Sequence, residues 1–230
     1  MINTPNNPTG AVYSRESLEA LAELAVRNDF YIISDEVYEK LIYNGRVHEC
    51  VASFSDAAYE HSIIINGMSK AFAMTGWRCG YTAAPAAVAA GISAIQGHTT
   101  SNSCTFVQWA ALEALEHNDD TVREMVGEYA KRKDYTYERL SAMKGISCAN
   151  VDGAFYLLPD ISYYFDKSFD GKKLEDSFGF CSYILEKAHV AIVPGGAFNA
   201  PKCVRIAYTN SLDKIREGLD RMEKALGELV

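Results

Sequence analysis

Three short segments hold residue types suited to carbonyl and phosphate chemistry: TPNNPTG at 4–10, SDEVY at 34–38 and NGMSKAFAMTGWRCG at 66–80. Lys70, in the third, offers an amine that can condense with an aldehyde and afterwards carry a proton. Arg78 lies eight residues further on, and its planar guanidinium suits bidentate contact with two phosphate oxygens. Ser69 adds a hydroxyl donor beside the amine. Asp35 ends an apolar run and can hold a proton on a partner nitrogen, whereas Glu36 points to the opposite side of an extended segment. Each piece alone has a plainer explanation. A lysine after a strand is ordinarily a solvated loop residue, and Asn7-Pro8-Thr9-Gly10 reads first as a turn. Their combination is what points to one site.

The elements that must position these groups follow from periodicity. Ser14 is a good N-cap, and Leu18, Leu21, Ala22, Ala25 and Val26 recur at helical spacing up to about Asn28. Residues 30–34 and 62–66 are short apolar runs that suit buried strands of a mostly parallel sheet, and 81–84 is a third. Ligands of open α/β sheets gather beyond the carboxyl ends of the strands, where Asp35, Tyr38, Ser69 and Lys70 fall. Helices are predicted over 107–116 and over the charged stretch 121–143, with Gly145 as the stop. Strands at 153–158, 190–193 and 203–208, a helix over 174–188 and a last helix behind Ser211 then make a smaller α+β domain. The fold class is therefore α/β, a mostly parallel sheet with flanking helices, followed by that α+β domain. The boundary falls near Gly145, giving domains 1–144, with its connecting helix, and 145–230.

A length of 230 residues with 48% hydrophobic content is ample for a buried core. The net charge of −8 disfavours a nucleic-acid partner, because such proteins concentrate Lys and Arg on one face. Six cysteines without a C-x-x-C pair, and no His cluster at metal-ligand spacing, argue for reduced thiols, no metal and a cytoplasmic protein. No run is long enough to span a bilayer, so no membrane partner is expected. His48, His61, His98, His117 and His189 show no pairing with a nucleophile and read as surface or core residues.

Taken together, the segments TPNNPTG, SDEVY, NGMSKAFAMTGWRCG, VPG at 193–195 and VRIAY at 204–208 resemble, in order, the fold-type I aminotransferases of class I/II. The resemblance covers the whole chain and matches the C-terminal part of that family, including the end of its large domain, which binds pyridoxal 5′-phosphate (PLP). It implies that Lys70 forms the Schiff base and shuttles the proton, that Asp35 holds the proton on the cofactor's ring nitrogen, and that Tyr38 bonds O3′. Asn7 matches the asparagine that donates to O3′ and borders the substrate, and the Asn7–Pro8 bond is expected to be cis. Ser69 and Arg78 match phosphate-binding positions, while Gly67 stands where many relatives carry a second phosphate-binding serine. Arg205 resembles the arginine that grips the substrate α-carboxylate. The implied reaction moves an amino group between an amino acid and a 2-oxo acid, in a homodimer. Alternatives are a PLP-dependent C–S lyase of the same fold, against which Tyr38 stands because such lyases often carry histidine there, and a non-catalytic remnant. No arginine within 96–106 announces a dicarboxylate pocket, so aspartate, aromatic and alanine substrates stay open. The upstream part of the family is expected to supply further phosphate donors and the ring that stacks on PLP.

Overall fold

The computed structural model describes residues 1–230. By contacts the residues divide into two units, one of Met1–Asn7, Ala11–Val126 and Asp152–Ala154, the other of Pro8–Gly10, Gly127–Val151 and Phe155–Val230.

The first unit is built on a four-stranded sheet of β1 (Ile2–Asn3), β2 (Ile32–Asp35), β3 (Ser62–Gly67) and β4 (Gly80–Ala83), in that order. The first three strands run parallel and β4 closes one edge antiparallel. Helix α1 (Arg15–Asn28) starts at Ser14, whose hydroxyl accepts from the Ser17 amide, and ends at Asp29 in the left-handed region. Its buried Ala22 and Ala25 meet Ile32, Val51, Ala58 and Ile64 in one core, to which the short α2 (Asp56–Glu60) contributes Ala58. A second core joins Met68 of α3 (Met68–Ala71) and Met74 to Ala111 and Ala114 of α5 (Thr105–His117). Between β4 and α5 lies α4 (Ala86–Thr99), a helix the sequence reading did not anticipate, because its apolar residues run all the way round and give no amphipathic period.

Helix α6 (Asp119–Ala142) extends the charged helix predicted from 121. Its residues from Gly127 group with the second unit, although the boundary read from Gly145 put them in the first domain. Their contacts explain why: Tyr129 meets Phe155 and Tyr208 at ring distances of 5.7 and 6.5 Å, and Arg132 Nη1 donates to the Thr209 carbonyl. Gly145 does mark the end of the helical run, in a positive-φ turn where a Cβ would collide with the Tyr163 ring.

The second unit has a three-stranded antiparallel sheet in the order β5 (Tyr156–Leu157), β9 (Val204–Ala207), β8 (Val193–Pro194), and a separate hairpin of β6 (Ser168–Phe169) and β7 (Lys172–Lys173). These strands are shorter than the apolar runs that announced them, since residues such as Phe155 and Tyr208 are buried from loops rather than from the ladder. Helices α7 (Ser177–Ala188) and α8 (Leu212–Leu226) cover it with Phe180, Ile184, Leu219 and Met222. Ser211 caps α8 by accepting from the Lys214 amide, as its sequence position predicts. No helix is long and apolar enough to cross a membrane.

Candidate active site

Strand register brings the candidate residues of the first unit to one end of its sheet. Asn3 is the neighbour of Asp35 across β1 and β2, and Asp35 is the neighbour of Ile65 across β2 and β3. The chain then carries Asn7 and Tyr38 into loops, and Lys70 into the short α3, beyond those three parallel carboxyl ends.

Lys70, half-buried in α3, directs its Nζ over the Tyr38 ring at 5.9 Å from the centroid. Tyr38 itself is buried, so its ring is a fixed wall of the space the amine occupies. Asp35 is the last residue of β2, and its Oδ1 accepts from the Val37 amide at 3.2 Å. Its carbonyl accepts from the Thr4 amide and from Asn3 Nδ2, which ties the TPNNPTG segment to the same strand end. The Asn7 amide in turn donates to Asn3 Oδ1 at 2.8 Å. The cis peptide bond of this segment is Thr4–Pro5, which corrects the expectation of a cis Asn7–Pro8 bond. Both are X-Pro bonds of similar intrinsic preference, so local sequence could not choose between them.

Ser69 adjoins Lys70 and is half-buried. Arg78 is exposed, adopts a left-handed conformation at φ 54°, and donates from Nη1 to the Thr75 carbonyl at 2.9 Å. Gly67 has a physical reason to be glycine, because a Cβ there would lie 3.0 Å from the Cys79 oxygen and 3.0 Å from Gly80 Cα. The close pairing of β3 with β4 leaves no room there for a side chain.

Arg205 belongs to the second unit, in the middle of β9. Its guanidinium is sandwiched between Tyr156, 4.5 Å from the ring centroid, and Phe198 at 4.8 Å. It also lines a cavity of about 190 Å³ together with Val193, Thr209 and Asn210.

One pairing escaped the sequence reading. His48 Nε2 lies 2.8 Å from Oε2 of the buried Glu36, whose Oε1 accepts from Ser34 Oγ at 2.9 Å. The missed signal was Glu36 itself, since an acid placed on the inner side of a strand end needs a partner. Burial pushes the nearby Cys50 thiol up to about 11, with Glu36 as the next contributor. Glu39 also offers a carboxylate oxygen to the Glu36 and His48 group, the three lying within 4.8 Å of one another.

Comparison with known proteins fits this geometry. The family model described as aminotransferase class I and II matches residues 1–222. An aspartate aminotransferase of Bacillus sp. (strain YM-2) is 43% identical over 224 residues, 97% of this chain and 56% of that protein. A probable aspartate/prephenate aminotransferase of Aquifex aeolicus (strain VF5) is 42% identical over 231 residues, 100% of this chain and 57% of that protein. Among solved structures, the aspartate aminotransferase from Rhizobium meliloti superposes with a TM-score of 0.95 at 33% identity, covering all of this chain and 58% of that one. The aromatic aminotransferase from Pyrococcus horikoshii OT3 gives 0.90 at 39% identity, covering 98% and 59%. The chain belongs to the class I and II aminotransferase family. It spans a little over half the length of the relatives it matches.

Proposed function

We propose that this chain carries the lysine half of a PLP-dependent aminotransferase site, which moves an amino group between an amino acid and a 2-oxo acid. The observation that carries the reading is the Lys70 amine held over the Tyr38 ring beyond the parallel strand ends, with Asp35 terminating the central one of three. The donor set fits the cofactor: an amine for its aldehyde, a carboxylate for its ring nitrogen, a phenol and an amide for O3′, and a hydroxyl and a guanidinium for its phosphate. When bound, PLP supplies an electron sink that stabilises negative charge at the substrate Cα.

The chain's own groups do the rest. Lys70 would hold the cofactor at its aldehyde carbon, the carbonyl oxygen leaving as water, and its amine would later carry a proton, while the neighbouring aromatic wall shields that amine from bulk water. Asp35, a half-buried carboxylate, keeps the ring nitrogen protonated. Tyr38 and Asn7 orient O3′, with Asn7 also bordering the substrate, while Ser69 and Arg78 hold the phosphate. Arg205 takes the α-carboxylate, its flat guanidinium kept in one plane by the two rings that sandwich it. The relatives' names cover aspartate, prephenate and aromatic substrates, so amino acids and 2-oxo acids define the substrate class. A homodimer in the cytoplasm completes the proposal, and six free cysteines suit a reducing compartment.

The test is chemical. The chain is incubated with excess PLP, reduced with borohydride and mapped by peptide mass. A pyridoxyl group on Lys70 is expected; a label on Lys40 or Lys131, or on no lysine, refutes the assignment.

A further inference from the structure

The roles above leave one enclosed charge unused. The Glu36 side chain is 2% exposed and its paired His48 side chain 13%. A carboxylate so buried is tolerated only when its oxygens are satisfied, and here Ser34 Oγ donates to Oε1 and His48 Nε2 to Oε2, with the Cys50 thiol hydrogen-bonded to the same side chain. Because a carboxylate only accepts, Nε2 carries the hydrogen of that bond. The backbone around Glu36 is fixed as well. Its amide donates to the Ile65 carbonyl at 2.8 Å, its carbonyl accepts from the Glu39 amide at 2.9 Å, and the Tyr38 carbonyl accepts from the Leu41 amide at 2.8 Å. Glu36 thus anchors a turn that has Asp35 immediately before it and Tyr38 two residues after.

We infer that the Glu36–His48 pair is a positioning device: it locks residues 34–38 onto the inner side of the sheet, and so sets where the Asp35 carboxylate and the Tyr38 ring stand toward Lys70. Alternation along the extended strand end makes this possible, since the side chain anchored inside and the one presented to the site are consecutive residues. The pair acts through Asp35 and Tyr38 and touches neither cofactor nor substrate. The inference rests on the reading of Lys70 as the PLP lysine, and the experiment separates the two.

Three variants of the full chain are compared with the unsubstituted protein. H48L removes the donor at similar volume, H48Q returns an amide N–H to the position of Nε2, and E36Q keeps the size while removing the charge. Amide hydrogen exchange is followed at 34–38 and, as a distant reference, at 204–207. PLP affinity and the visible spectrum of the bound cofactor are measured in parallel. A lost hydrogen bond to a buried charge corresponds to roughly 10- to 100-fold. H48L should therefore exchange that much faster at 34–38 with 204–207 unchanged, bind PLP at least about tenfold more weakly and shift the visible band, and H48Q should recover most of each. Should H48L fail to fold, E36Q carries the same expectation. Unaltered exchange at 34–38, or unaltered PLP affinity and spectrum in a variant whose parent binds at Lys70, overturns the positioning role. If the unsubstituted chain takes up no PLP at Lys70, the functional reading fails instead, and exchange at 34–38 alone decides whether the pair positions the segment.

Discussion

Replacing Gly67 by serine should weaken the fold. The added Cβ would stand 3.0 Å from the Cys79 carbonyl oxygen and 3.0 Å from Gly80 Cα. Both obstacles are backbone, so no side chain can swing away. The opposing residue is Gly80 in register with Gly67, and the Met68 amide donates to the same Cys79 carbonyl at 3.1 Å, which leaves β4 little freedom to shift without stretching that bond. Overpacking of this kind costs about 1–3 kcal/mol. Because β4 is an edge strand it can retreat by a few tenths of an ångström, which puts the loss near the lower end, about 1–2 kcal/mol. With a urea dependence of about 2 kcal/mol/M, the unfolding midpoint should fall by roughly 0.5–1 M. Gly67→Ala should do the same, since the cost belongs to Cβ and not to the hydroxyl. Equal midpoints for all three proteins would refute the argument, and a loss in serine but not in alanine would assign the cost to burial of the hydroxyl.

Other expectations are checked by simple measurements. Asp35→Ala should leave the borohydride label on Lys70 but remove most amino-group transfer, because the ring nitrogen loses its proton partner; normal turnover would make Asp35 structural. Arg205→Ala should weaken amino-acid binding while PLP affinity persists, and should also lose two ring contacts worth about 0.5–2 kcal/mol each, read as a lower melting temperature. Alkylation at pH 8 should reach the exposed Cys104 first and spare Cys148 and Cys181, whose thiols burial pushes up to about 12; early labelling of either, seen by mass mapping, would contradict their enclosure.

Much of this architecture was legible because periodicity and punctuation agree with burial. Ser14 and Ser211 open helices where their N-cap chemistry says they should, and the Ile-rich runs became the parallel strands that end at Asp35 and Gly67. What stayed hidden has physical causes. Helix α4 is apolar on every side, so no stripe marks it. The Glu36–His48 pair joins residues whose separation matches no regular period, and only the fold brings them together. The grouping of residues 127–142 depends on which rings Tyr129 meets, whereas a helix stop at Gly145 reports only where the backbone turns. Arg205 was legible as a strand arginine within a matching motif, but the two rings that flatten it come from Tyr156 and Phe198, far from it or unremarkable in sequence.

The apolar surface of the first unit leads to a last prediction. Helix α4 buries none of its residues, and Ile95 is 68% exposed. On α5, Phe106 and Trp109 are 67% and 68% exposed, with Leu112 and Leu115 exposed beside them. Single exposed apolar residues are ordinary, but a helix hydrophobic on all sides is a buried helix in a stable protein. Exposed apolar area of this kind drives association, at about 25 cal/mol for each Å² removed from water. The 230-residue chain should therefore self-associate at micromolar concentration, with α4 and α5 at the contact. Sedimentation equilibrium measures this directly, and I95E and W109E, each placing a charge in the patch without touching a buried residue, should raise the monomer fraction. Far-UV circular dichroism on the same samples separates dissociation from unfolding. A monomer at about 100 μM, or oligomers that both glutamate variants leave intact while the helices persist, would show that this surface needs no covering and that the all-round apolarity of α4 serves another purpose.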